Sequence, residues 1–450
     1  MDLRLGLYYL TLFLTPFFTV SPWQNLLGVP AGVLFGLLIV LLALCYWREL
    51  LISVKNFPFL GFSAWAVIIF LLVCASSLGS LLILGQAMRE NYIRLMYLIF
   101  SGVVCWLNTI IPVSKAILRK GISIYITAAI IACVYGGYVT VGFMFGLHTG
   151  QEVTWTVPRL FGTATEPQVF ANFLLSVIPL SIALYILRSR EIYGKMMLIG
   201  IWLFTLALLM TFSAGAWAGA AAGMVPLLLI FKEIKWKNIW FLAGVFSLVW
   251  VSVLAINQWG SPGYLKGFDS ISVKFKIQNH DMSAPAKSQT KTENIYSLSM
   301  VSVNEREWYR EAAWKMFRTH PVFGVGLGNY GYLYNQYRPA EAPKVEYYAR
   351  AHNQYLEILA EMGVVGLAAF LFVLFQLFAI VWKVLKTGHN NSLRIYTVGL
   401  FASLAAMGVQ GYSLGILLHN YIWVVLGLTY ATSRLAADAY PERRPYEHRS

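Results

Sequence analysis

Apolar runs of about 20 residues, the length a helix needs to cross a bilayer, recur along nearly the whole chain. They fall at about 3–20, 26–46, 60–84, 92–112, 121–146, 166–187, 195–212, 214–231, 238–258, 355–382, 394–413 and 417–434. No compact soluble core can hide so much apolar sequence. Only 12% of the residues are charged, about half of what a soluble surface uses, so lipid must be the solvent for much of the chain. The expected fold class is an all-α polytopic membrane protein with about 12 transmembrane helices. The first run lacks a small-residue cleavage site and is read as an uncleaved helix, not a signal peptide. Cys45, Cys74, Cys105 and Cys133 all lie inside apolar runs and read as small buried hydrophobes; neither a disulfide nor a metal site follows from their spacing.

Lysine and arginine set the orientation, because short cytoplasmic loops collect them. With the N-terminus inside, alternate connections from Arg4 to Arg449 hold 19 of the 34 basic residues, and the short outer connections hold three: Arg89, Arg94 and Arg159. Both termini are therefore expected in the cytoplasm. The same distribution accounts for the formal charge of +14 as a topological signal directed at anionic lipid, which argues against a nucleic-acid partner. The organisation that follows is spans one to nine over 1–258, an outer loop over 259–354, spans ten to twelve over 355–434, and a cytoplasmic tail over 435–450.

The loop between spans nine and ten divides in two. Residues 283–294, SAPAKSQTKTEN, have no apolar periodicity and read as a flexible excursion. Residues 305–318, EREWYREAAWKMFR, predict an amphipathic helix with Trp308, Ala312 and Met316 or Phe317 on one side. Its aromatic residues Trp308, Tyr309 and Trp314 suit the membrane interface. The helix is expected to stop at His320-Pro321, since proline disfavours helix in the residue before it.

Four polar places adjoin spans on the outer side. The first is 156–172, with Arg159 at the mouth of the sixth span and Glu166-Pro167 at its start. Acid and proline both favour a first turn, and Arg159 reads equally as a headgroup anchor. The second is Arg306 with Arg310, one turn apart on one face; their guanidinium groups suit phosphate, and Glu307 and Glu311 suit a plain solvated face. The third is 321–330, PVFGVGLGNY, whose glycines expose amides to an anion or simply let the chain turn. It is not a dinucleotide fingerprint. The fourth is 351–366, AHNQYLEILAEMGVVG. Here His352 could serve as a general base, Asn353 as an N-cap, and Glu357 and Glu361 lie one turn apart where ionisable groups are functional candidates. No H-x-x-x-H, D-x-D, G-x-S-x-G or P-loop pattern occurs, and His148, His280, His320 and His419 are scattered singly. No metal and no cofactor is expected.

Taken in order, these segments resemble the O-antigen ligase and polymerase superfamily of bacterial envelope glycosyltransferases. The resemblance rests on Arg159-Leu-Phe-Gly162 with Glu166-Pro167, on Thr211-Phe-Ser213 followed by Gly215-Ala-Trp217, on Arg306 and the helix running into His320-Pro321, and on His352-Asn353-Gln-Tyr355-Leu-Glu357 with Glu361-Met-Gly363. It covers roughly 155–370. It implies a metal-independent inverting transferase of the bacterial inner membrane that takes a glycan from an undecaprenyl diphosphate carrier on the periplasmic or outer side. The acceptor hydroxyl would lie on a glycan, a lipid core or a protein. On matching residues it implies Arg159 and Arg306 at the diphosphate leaving group and His352 assisting the incoming hydroxyl, with Arg310, Asn353, Tyr355 and Glu357 as substrate-binding candidates. The pattern departs in two places: Ala214 stands where relatives often carry arginine, and Gln168 where they often carry asparagine. Arg310 is a candidate to stand in for the first.

A flippase or transporter of a lipid-linked precursor is the rival class. It would be expected to spread polar residues deep through several spans, whereas here they crowd one side.

Overall fold

A computed structural model describes residues 2–17, 31–55, 89–144, 159–164, 166–188, 192–233, 236–256, 258, 291–346, 348–387 and 391–438, with only the backbone over 291–304. Within these described residues fourteen α-helices follow one another: α1 Leu3–Leu14, α2 Ala31–Cys45, α3 Trp47–Lys55, α4 Arg89–Ile110, α5 Lys115–Met144, α6 Pro167–Arg188, α7 Ile192–Met210 and α8 Ala214–Leu227. They continue with α9 Trp236–Ala255, α10 Lys291–Thr319, α11 Tyr330–Tyr337, α12 Gln354–Thr387, α13 Asn391–Gln410 and α14 Asn420–Asp438. There is no strand among the described residues.

Among the described residues, five helices are long and apolar enough to cross a membrane: Asn91–Ile110, Lys115–Met144, Pro167–Leu187, Gln354–Lys386 and Ser392–Gln410. A sixth crossing results if the pair 34–45 and 47–53, bent by 69°, is one span. The shorter apolar helices Gly194–Met210, Ala214–Ile230 and Ile239–Ala255 fall on expected spans seven to nine. Large apolar side chains point away from the protein on α2, α9 and α12, among them Leu37, Leu44, Trp240, Phe375 and Phe378. Water would not tolerate so continuous an apolar surface; the chain is a multi-pass membrane protein. The expected span at 60–84 lies outside the described residues, as do Cys74, His148, His280, residues 283–290 of the polar excursion, and the tail from 439.

The centre of the bundle is α6, which packs against α5, α7, α8, α13 and α14. Its hydropathic window is wholly buried. Helices in lipid gain little from apolarity alone, so close approach through small residues holds them together. Along α8, Gly219 and Gly223 lie one turn apart, and a methyl group at Gly219 would stand 2.5 Å from the Ala406 carbonyl oxygen of α13. On the far side, a methyl at Gly427 of α14 would stand 2.4 Å from the Cys105 carbonyl of α4.

The amphipathic helix forms within the longer α10 and ends at Thr319, before Pro321, as the sequence suggests. Its buried face differs from the expected one. Tyr309, Ala312, Ala313 and Met316 are buried, whereas Trp308 is only partly so and Trp314 is exposed. These four pack with Tyr330, Tyr334, Ala349, Ala351 and Ala360 in a satellite core, and Tyr330 Oη donates to the Tyr309 carbonyl at 2.8 Å. Ala312 and Met316 are thus buried as expected, and the face is displaced toward Tyr309 and Ala313 by about half a residue step, roughly 50°, where the Tyr309 and Tyr334 rings lie 4.9 Å apart.

Candidate functional site

Each polar segment singled out in the sequence reaches one end of the bundle, and backbone hydrogen bonds tie them to one another. Leu160 N–H donates to Met210 O at 2.9 Å. Arg159 Nε donates to Thr211 O at 2.8 Å and Nη2 to Phe212 O at 3.3 Å. A guanidinium there meets the carbonyls left unpaired where α7 ends, the negative pole of its dipole. A few residues on, Pro167 is the first residue of α6, with the Glu166 carbonyl accepting from Val169 and Phe170 N–H at 3.1 Å each.

The glycine-rich segment does not cradle an external anion. Its amides are used internally: Val325 N–H donates to Ala360 O at 2.8 Å and Gly326 N–H to Glu361 O at 2.9 Å, while Val364 N–H returns to Pro321 O at 2.9 Å. These bonds meet a break in α12 at Gly363, where φ is 63° and ψ is −161°. Gly324 also has positive φ, and a methyl group there would lie 2.4 Å from the Glu361 backbone carbon. Helix interiors do not break without replacement partners for the freed backbone groups; the 321–326 strip supplies them.

The first half of α12 carries two clusters. One is buried. Arg94 Nη1 donates to Glu357 Oε1 at 2.6 Å and to Glu361 Oε1 at 3.2 Å. Tyr330 N–H donates to Glu361 Oε1 at 3.2 Å, and the Tyr348 ring lies 5.1 Å from the Arg94 guanidinium carbon. One cation faces two carboxylates, and Glu357 Oε2 is buried without a hydrogen-bond partner. Asn91 Nδ2 closes the group by donating to Asn329 Oδ1 at 2.8 Å.

The second cluster surrounds His352, which precedes α12 with φ of 48°. A left-handed conformation is unusual for a non-glycine residue and costs about 1 kcal/mol or more. Asn353 then caps the helix, its Oδ1 accepting from Tyr355 and Leu356 N–H at 3.1 Å each. Tyr355 Oη anchors the same turn on Gly408 O at 2.6 Å, and the His352 ring lies 5.8 Å from that of Tyr309.

Burial first, then the charge of Arg306, lowers the His352 pKa from 6.5 to about 4; Arg350 and Arg310 act the same way, and Glu357 opposes them. The imidazole is therefore neutral at ordinary pH and able to accept a proton. Burial and the neighbouring Arg310 also push the Arg306 guanidinium below its usual value, with Glu305 and Glu166 opposing. Arg306 makes no ion pair with another described residue. Arg310 pairs with Glu307 at 2.7 Å and stacks 4.7 Å over the Tyr412 ring. This surplus of positive charge beside a neutral imidazole suits an anionic ligand. Among the described residues, no group of three or more His, Cys, Asp or Glu side chains converges to hold a metal ion.

Of the expected residues, then, Arg306, Arg310, His352 and Glu357 act on one another, with Asn353 and Tyr355 in the same turn. Arg159 holds the neighbouring 211–212 turn. Sequence reasoning missed three contributors. Arg94 was counted only as a loop charge, since nothing local ties it to residues over 260 positions away. Tyr412 fell within the expected span at 394–413 and carried no signal of its own. Arg350 had a readable signal, as it stands two residues before His352.

Two comparisons with known proteins bear on this part of the chain. Residues 199–371, from α7 into the second half of α12, match the family described as O-antigen ligase; the match takes in Arg306, Arg310, His352, Glu357 and Gly363. A curated relative, the teichuronic acid biosynthesis protein TuaE of Bacillus subtilis (strain 168), is 28% identical over 120 residues, 26% of this chain. The chain spans 24% of that relative's length. By its 199–371 segment and the ordered motifs around it, the chain carries the resemblance to the O-antigen ligase and polymerase superfamily.

Proposed function

We propose that this protein is a membrane glycosyltransferase, a ligase or polymerase, acting in the assembly of cell-surface polysaccharide. It transfers a glycan from an undecaprenyl diphosphate carrier to an acceptor hydroxyl on a glycan, lipid core or protein. The observation that carries the reading is the packing of α10, which bears Arg306 and Arg310, against His352, with the Tyr309 ring 5.8 Å from the imidazole; the charges of both arginines and of Arg350 act on that imidazole. The O-antigen ligase match over 199–371 and the printed role of the relative, teichuronic acid biosynthesis, support it.

The chemistry follows from the charges. The acceptor oxygen attacks the anomeric carbon from the face opposite the diphosphate, and its proton passes to His352. The bond from that carbon to the diphosphate oxygen breaks, and the leaving diphosphate keeps the electron pair. Fixed guanidinium groups stabilise the charge that grows there without having to reorganise. Arg306 is the principal one. Arg159, on the side of the 211–213 turn, is assigned to the same diphosphate. Asn353 and Tyr355 hold the turn that presents His352. The excess of lysine and arginine in alternate connections supports a placement of this end on the outer face of the cytoplasmic membrane, with both termini inside.

The test is reconstitution of the full chain in liposomes with an undecaprenyl-diphosphate-linked glycan and acceptor extracted from the source membrane. The expected product is a heavier glycoconjugate with release of undecaprenyl diphosphate, absent with Arg306→Ala and His352→Ala. Lipid-linked glycan that crosses the bilayer unchanged in mass, with no conjugate formed, would overturn the reading in favour of a flippase.

A further inference from the structure

The buried triad leaves one atom unexplained. Glu357 is 7% exposed, and its Oε1 is bound by Arg94, yet its Oε2 has no donor. A buried carboxylate oxygen without a partner is costly, about 1–3 kcal/mol or more, so such atoms call for an account. Around it lies a pocket lined by Arg94, Arg350, Gln354, Glu357, Gly415 and Leu418. The polar acceptors nearby are already used: Gln354 Oε1 accepts from Ile416 and Leu417 N–H at 2.6 and 2.9 Å. Gly415 leaves the space open. A methyl group there would touch Glu357 Oε2 at 3.4 Å, and its backbone is not in the left-handed region. The cavity volume is about 30 Å³, room for one or two water-sized groups: a hydroxyl arm, not a sugar ring.

We infer that this pocket is the subsite for a hydroxyl-bearing edge of the acceptor sugar, with Glu357 Oε2 receiving a hydrogen bond from one of its hydroxyls. The inference rests on the transferase reading and deepens it. Shape and charge both argue for it. The atom waiting in the pocket is an acceptor, so the group it receives must be a donor, and a carboxylate binds a hydroxyl through a short, charge-assisted bond. Arg350, exposed at the rim, and Glu357 both act electrostatically on His352. A sugar anchored by one hydroxyl here would therefore hold another near the imidazole that takes its proton. Glu357 is a positioning and binding residue in this scheme, and the transferred proton goes to His352.

The test uses the purified full chain in nanodiscs and saturation-transfer NMR with methyl glucoside, compared with its permethylated form, which has no hydroxyl donor. Transfer to methyl glucoside and none to the permethylated form is expected for the native protein. Glu357→Gln turns the waiting acceptor into a donor-bearing amide, and Gly415→Val fills the space while keeping the carboxylate. Each should weaken binding about tenfold, the worth of one charge-assisted hydrogen bond. Gly415→Val guards against an effect of Glu357→Gln on folding. Undecaprenyl diphosphate binding, measured in parallel, should survive both variants and be lost in Arg306→Ala. No transfer to the native protein, or equal transfer to the permethylated form or to both variants, overturns the subsite. Loss of undecaprenyl diphosphate binding nowhere, with the glucoside pattern intact, overturns the donor reading and leaves the subsite standing.

Discussion

Two groups of charges share the first half of α12 and are built in opposite ways. Around Arg94 there are two carboxylates for one guanidinium, all buried and mutually bonded. Around His352 there are three guanidinium groups, of which only Arg310 has a carboxylate in contact among the described residues. The first set is bonded within the chain except at Glu357 Oε2, and removing its one cation would leave two buried charges uncompensated. The second is left positive, which raises the free energy of the empty site and is sensible only if something anionic arrives. The two sets thus differ in the sign of what they leave over: the Arg94 set ties its chain segments together and leaves one carboxylate oxygen, Glu357 Oε2, to a donor, whereas the His352 set leaves positive charge to an anion.

That contrast can be broken by substitution. In the His352 set, His352→Ala should lower transfer by about 10²- to 10⁴-fold, the usual worth of a general base, with the unfolding midpoint in detergent unchanged. Arg306→Ala should do the same and leave the protein no less stable, since it removes a repulsion from Arg310. In the Arg94 set the order reverses. Arg94→Ala strands two buried carboxylates and should cost about 3–5 kcal/mol, read as loss of monodisperse protein on heating. Arg94→Ala protein that unfolds like the native chain would collapse the distinction. Gly363→Ala puts a methyl 2.2 Å from the Val322 carbonyl oxygen at a φ of 63°, and should cost about 1–3 kcal/mol for the strained backbone alone.

The pH profile sharpens the comparison at smaller cost. Because His352 is held neutral down to about pH 4 instead of 6.5, the acid limb of kcat/KM should fall near 4, and Arg306→Gln should move it upward. The sign for stability follows: the folded state resists protonation, so the His352 contribution is full above 6.5 and is lost as pH falls from 6.5 to about 4. Smallest of all, Asn353→Ala removes a helix cap and should lower stability by about 1 kcal/mol, checked by thermal unfolding at neutral pH.

How much of this the residues announce depends on the range of the forces involved. Helices were legible because apolar runs are local: each expected span apart from 60–84, which is not described, falls on a helix. The end of α10 was legible through Pro321, and the start of α6 through Pro167. His352 and Arg306 stood out through motif resemblance and their place beside spans. What escaped was set by distant partners. Nothing around Arg94 tells it apart from a headgroup anchor until α12 is packed against it. The face that α10 buries was legible at Ala312 and Met316 and not at Tyr309, because periodicity does not separate Trp308 from Tyr309 and only packing against the Tyr334 ring does. The glycines of 321–330 announced exposed amides but not that α12 would consume them.

The break at Gly363 bears on how a charged site can coexist with a membrane span. Unbroken, the 34 residues of α12 would rise about 51 Å, far more than the roughly 30 Å of hydrocarbon. Residues 364–387 alone rise about 36 Å and suffice to cross with some tilt. The break thereby divides labour within one helix: the apolar stretch after it answers to lipid thickness, and the nine residues before it carry the polar contacts of Glu357 and Glu361. Residues 364–387 are then enough to span the hydrocarbon by themselves, so Glu357 and Glu361 need not lie at hydrocarbon depth for α12 to cross.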